Sequence, residues 1–87
     1  MGVWTANYDG NQIRIEQSWF SGRGKIFVNN KQQDERTNSF LGGVDLTGHV
    51  VLKDGERKPI KVSLDTGLFR AKCLLFIDDE KVEVRKT

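Results

Sequence analysis

Val3-Trp4-Thr5-Ala6-Asn7-Tyr8-Asp9-Gly10-Asn11-Gln12-Ile13-Arg14-Ile15-Glu16-Gln17 is the stretch that decides the fold class. An apolar and aromatic run ends at Asp9-Gly10. Beyond it Ile13, Ile15 and Gln17 alternate with Arg14, Glu16 and Ser18. A period of two is the signature of a strand with one buried face, and Asp-Gly supplies the positive φ angles that a tight hairpin turn needs. The stretch is therefore read as a β-hairpin.

The same grammar repeats along the chain. Ser21-Gly22-Arg23-Gly24 interrupts the pattern and Lys25 to Val28 resumes it, with Ile26 and Val28 on one face. Asn29-Asn30 tolerates the left-handed region and predicts a second hairpin, whose return arm, Lys31 to Arg36, is a polar edge strand; a helix there would lack an apolar stripe. Gly42-Gly43 and Gly48 predict short, glycine-punctuated strands around Val44-Asp45-Leu46 and His49 to Leu52. Lys53-Asp54-Gly55-Glu56 reads as a third turn, followed by the alternating series Ile60, Val62, Leu64, with Pro59 expected at a strand start or on an edge. Phe69 to Ile77 is the longest apolar run. With Phe69, Ala71, Cys73, Leu75 and Ile77 on one face and Leu74 and Phe76 on the other, it predicts a central strand covered on both sides near its end. Asp78-Asp79-Glu80 then turns into a last strand, Lys81 to Val84. Seven or eight such strands predict an all-β domain, a small antiparallel β-sandwich, with a small barrel as the alternative.

With 87 residues the chain is expected to form one domain spanning residues 1–87, since two cores of half that size would each be unstable. Its net charge of +2 comes from 14 basic and 12 acidic side chains with the signs mixed along the whole length. Mixed signs suit an ordinary soluble surface better than the basic patch of a nucleic-acid domain. The single Cys73 cannot close an internal disulfide and fits a reducing, cytoplasmic setting. The N-terminal residues lack the basic-then-apolar pattern of a secretory signal, no segment has the length and apolarity of a membrane helix, and Ala6 stands where a myristoylation signal wants Ser or Thr.

Chemistry-bearing residues are few. His49 with Asp45 and a serine has the composition of a hydrolytic triad, but no serine lies in a nucleophile elbow, and a strand-edge histidine is expected. Cys73 reads as a buried structural thiol. Asp78-Asp79-Glu80 offers hard oxygen ligands without calcium-loop spacing, and a solvated turn is expected; no metal or cofactor is expected. Gly22-Arg23-Gly24-Lys25 has the glycines and cations of an anion-binding loop, yet Ile26 follows Lys25 where a Walker motif has Ser or Thr. The candidate binding residues are Trp19, Phe20, Arg23, Lys25 and Trp4, in which aromatic faces beside cations suit stacking on bases or anchoring of a protein.

The order of features resembles that of the Fas apoptotic inhibitory molecule family. The likeness is carried by Val3-Trp4, Asp9-Gly10, Ile13, Ile15, Ser21-Gly22, Ile26-Phe27-Val28, Asn29-Asn30-Lys31, Ile60-Lys61-Val62, Gly67-Leu68-Phe69 and Phe76 to Lys81. It implies a compact antiparallel sandwich and a protein-binding role. Asn29-Asn30 stands where that family often has Asp-Gly after its third strand, and the resemblance transfers no functional residue. The chain is also similar to short bacterial proteins of unknown function. The expected function is a non-catalytic module for protein–protein interaction or self-association through a sheet face or edge. The alternative is binding of single-stranded nucleic acid or an anion through the Trp19 to Lys25 loop.

Overall fold

A computed structural model describes residues 2–18, 21–37, 43–66 and 71–87. Nine strands follow in order: β1 (Gly2–Tyr8), β2 (Asn11–Gln17), β3 (Arg23–Val28), β4 (Lys31–Thr37), β5 (Val44–Val51), β6 (Arg57–Thr66), β7 (Ala71–Ile77), β8 (Glu80–Val82) and β9 (Arg85–Lys86). They form two antiparallel sheets, a five-stranded one in the order β4-β3-β2-β1-β9 and a four-stranded one in the order β5-β6-β7-β8. The sheets face each other as a sandwich and do not close into a barrel.

The two-residue turns obey their sequence. Asp9 and Gly10, Asn29 and Asn30, and Asp78 and Asp79 all have positive φ at both positions, as a type I′ hairpin requires. Asp54-Gly55 behaves differently. Only Gly55 takes positive φ, the Gly55 amide donates to the Leu52 carbonyl, and the Leu52 amide donates to the Glu56 carbonyl. The result is a longer loop whose glycine ends a type I turn. The Asp78-Asp79 turn is tied back to β6 by the Lys58 ammonium, 2.9 Å from Asp78 Oδ2, and this hydrogen bond is the main cause holding Lys58 above its ordinary pKa.

Inward positions alternate as the sequence predicts. Trp4, Ile13, Ile15 and Ile26 from the first sheet meet Leu46, Val50, Ile60, Val62, Leu64, Leu75 and Ile77 from the second. Several expectations need correction. Gly24 and Gly48 do not break strands: a Cβ on Gly24 would sit 2.8 Å from Leu64 Cδ1, so the glycine lets the two sheets approach, and β5 runs through Gly48 without interruption. Pro59 is the third residue of an inner strand. It fits because β7 has already entered its turn at that level, where the Asp78 amide donates to the Pro59 carbonyl and no donor is needed in return. The expected last strand over residues 81–84 is divided. β8 ends at Val82, and the chain then crosses to the other sheet as β9, pairing Lys86 with Trp4 and Arg85 with Thr5. Val82 and Val84 pack on the core at this crossing.

One core position breaks the apolar rule. Gln17 is completely buried (0 % exposed) between Gly2 and Gly24 on the neighbouring strands, and among the described residues neither Oε1 nor Nε2 has a hydrogen-bond partner. An unpaired buried amide costs about 1–3 kcal/mol. Methionine has similar volume and no such cost, so Gln17→Met is expected to raise stability by about 1–2 kcal/mol in urea denaturation. A variant less stable than the parent would mean that the amide has a partner in solution.

Candidate binding surfaces

The edge that β4 and β5 share is sealed by side chains. In the β3–β4 pairing Ile26 opposes Asp34 and Phe27 opposes Gln32, so Gln33 is an extra, bulged residue. The bulge brings Gln33 and Asp34, adjacent in sequence, to the same neighbour. Asp34 Oδ2 accepts the Thr47 amide at 2.9 Å and Gln33 Oε1 accepts the His49 amide at 2.7 Å. Further along, Asn11 Nδ2 donates to the Val51 carbonyl at 2.9 Å, and Asp9 Oδ2 accepts the Lys53 amide at 2.6 Å. Residues 47, 49, 51 and 53 thus direct backbone groups away from β6 and find side chains where a further strand would otherwise pair. This is also why the sandwich stays open in the barrel sense: the seam is made by side chains.

The opposite side of the molecule is open. β8 pairs with β7 only at Leu75, Phe76 and Ile77. Among the described residues nothing pairs with Ala71–Leu74 on that side. Leu74 is 40 % exposed, which corrects the expectation that β7 is covered on both faces. Leu74 and the half-buried Phe76 lie on the outer face of the four-stranded sheet, and Phe76 stands between Lys61 on β6 and Lys81 on β8. Lys72 lies further along β7, opposite Asp65. An unbroken apolar run reads as a strand with two covered faces, which hides this strip in the sequence. The signal was Lys72, a charge two positions from Leu74 on the same face.

The other candidate residues divide. Trp4 is 3 % exposed and belongs to the core, its ring lying over Gly2 and the Lys86 ammonium 5.7 Å from the ring centroid; it offers no binding surface. Arg23 and Lys25 come together on the outer side of β3, both facing Glu35 of β4, at 3.6 and 3.7 Å. One carboxylate therefore offsets half of the charge that was to attract an anion. The loop itself is closed by Ser18–Arg23 and Gly22–Ser18 backbone bonds, and a cavity of about 180 Å³ beside it is lined by Glu16, Gln17, Ser18, Ser21, Arg23 and Lys25. Trp19 and Phe20 lie outside the described residues. Phe27 on the outer side of β3 is half-buried, with the Arg14 guanidinium stacked over it at 4.3 Å while pairing with Glu16 at 2.9 Å.

His49 and Asp45 lie on one face of β5, but four extended residues separate them by roughly 13 Å, too far for a triad. The His49 ring instead meets Arg57, with Nδ1 3.2 Å from Nη2. These two side chains, with Gln33, Thr47, Gly48 and Pro59, line a groove of about 650 Å³. Cys73 is half-buried against the core, and burial pushes its thiol up to about 12, so the nucleophilic thiolate is scarce at neutral pH. Asp78 faces Lys58 and Asp79 faces Lys61, and among the described residues no three His, Cys, Asp or Glu side chains converge as metal ligands. No helix among the described residues is long and apolar enough to cross a membrane. No family model, curated protein or solved structure matches this chain.

Proposed function

We propose that the protein is a non-catalytic, cytoplasmic binding module that takes an extended segment of a partner protein along the free part of β7. The observation that carries this reading is the contrast between the two sides of the sandwich. The β5 edge is occupied by Asp34, Gln33, Asn11 and Asp9, whereas Ala71–Leu74 has backbone groups with no strand beside them among the described residues, and an exposed Leu74 two positions from Phe76. Strand addition draws affinity from backbone hydrogen bonds and selectivity from alternate side chains. The lysines at positions 61, 72 and 81 around an apolar strip favour a segment that alternates acidic and apolar residues. The order of sequence features that resembles the Fas apoptotic inhibitory molecule family implies a protein-binding role in general, without indicating which surface would serve it.

Titration of isotope-labelled protein with a Glu-Val alternating hexapeptide tests this. Saturable amide shifts confined to residues 71–76 are expected, with at least tenfold weaker binding in Leu74→Lys. No shift at low salt would remove the proposal, and a concentration-dependent dimer abolished by the same variant would replace the partner protein with a second copy.

A further inference from the structure

The groove beside His49 lies on the same outer sheet face as the β7 strip and shares no lining residue with it. Arg57 can only donate hydrogen bonds, so its 3.2 Å contact with His49 Nδ1 requires that nitrogen to be the acceptor and leaves the imidazole proton on Nε2. In the neutral ring this contact favours the tautomer that leaves Nε2–H as a donor. The backbone is fixed through the His49 amide on Gln33 Oε1 at 2.7 Å. Gly48 keeps this wall narrow: a Cβ there would collide with Gln33 Oε1.

Charge within the groove is one-sided at this end. Glu56, the neighbour of Arg57 in sequence, turns to Lys58 at 3.5 Å, and among the described residues no carboxylate comes within ion-pair distance of Arg57. Asp34, at the Thr47 end, is occupied by the Thr47 amide and hydroxyl and by the Glu35 amide. Pro59, directly opposite His49 in the β5–β6 pairing, gives a rigid apolar side. The groove, of about 650 Å³, is broadly open to solvent, so a ligand would be held chiefly by its polar end.

We propose that this groove binds a small molecule carrying an oxyanion, carboxylate or phosphate, with the Arg57 guanidinium as its charge partner, His49 Nε2–H as the second donor and Pro59 against its apolar body. The planar guanidinium fork matches both oxyanions. Isotope-labelled protein titrated separately with inorganic phosphate and with benzoate, each against sodium chloride at matched ionic strength, tests the site and distinguishes the two anions. Saturable shifts at Thr47, His49 and Arg57 are expected with at least one of them. Arg57→Gln should weaken binding tenfold or more, and Arg57→Lys, which keeps the charge and loses the fork, should fall between. Both variants change an exposed side chain, and Leu74→Lys should leave these shifts unchanged. The site is overturned if chloride gives the same shifts, if neither anion saturates, or if Arg57→Gln binds as the parent does.

Discussion

Trp4→Ala is expected to destabilise the protein by about 3–5 kcal/mol, the cost of truncating a buried large aromatic side chain. Domains of this size have total stabilities of only about 5–15 kcal/mol, so the variant should be largely unfolded at physiological temperature or melt far below the parent. The reason is specific to its place. Trp4 is 3 % exposed, it pairs with Ile15 on one side and Lys86 on the other, and its ring covers the backbone of Gly2, whose missing side chain makes the room. Alanine would leave a void bounded by two rigid strands and loosen β9, the short strand that carries the chain back from the other sheet. A Trp4 acting as a surface anchor would behave in the opposite way, with unchanged denaturation and lost binding. Urea denaturation with near-ultraviolet circular dichroism separates the two, and Trp4→Phe should recover most of the stability if burial is the cause.

The same residue marks how far the sequence could be read. Alternation placed Ile13, Ile15, Ile26, Ile60, Val62 and Leu64 in the core because each has at least one charged or polar residue beside it and belongs to a row of period two. Trp4, between Val3 and Thr5 in a run without charged residues, had no such row to orient it. Turn residues were legible where both members of the pair tolerate positive φ, as at Asp9-Gly10 and Asn29-Asn30. Asp54-Gly55 was not fully legible, since the same dipeptide serves loops of different length and the choice is made by the register of β5 on β6. The split between β8 and β9 was hidden for a related reason. Val82 and Val84 alternate as strand residues do, but where the chain leaves a sheet is set by the partner strand's end.

Sites assembled across the sequence were the least visible. Arg57 and His49 meet through the β5–β6 hairpin, but Gln33 comes from another sheet and joins them only when β4 lies beside β5. Lys25 and Arg23 were recognised as a pair, whereas Glu35, which faces both, lies in a strand without apolar alternation. The bulge at Gln33 belongs to that same strand. A polar edge strand has no inward row to fix its register, so one extra residue leaves no trace in the pattern.

That bulge underlies the second large expected effect. Gln33→Ala combined with Asp34→Ala should lower stability by about 2–4 kcal/mol, and it should turn the protein from a well-behaved species into one that associates through β5. The energy follows from what is removed: a carboxylate accepting two amides and a hydroxyl, and an amide oxygen accepting a third N–H. Hydrogen bonds to charged groups contribute about 1.5–3 kcal/mol and neutral ones about 1, with water compensating part of the loss at an exposed edge. The change in association follows from geometry. Thr47 and His49 would present unpaired N–H groups on an eight-residue strand, and such an edge is a template for pairing with another chain. Asn11 and Asp9 would still hold Val51 and Lys53, so the exposed stretch would be confined to the first part of β5. Sedimentation velocity across a concentration series should show dimers or larger species in the double variant at concentrations where the parent shows none. Asp34→Asn, which retains an oxygen for Thr47, should restore most of the parent behaviour. If the double variant kept the parent's stability and sedimentation, the side-chain seam would have no part in closing the edge, and the contrast between a sealed β5 and an open β7 would lose its force.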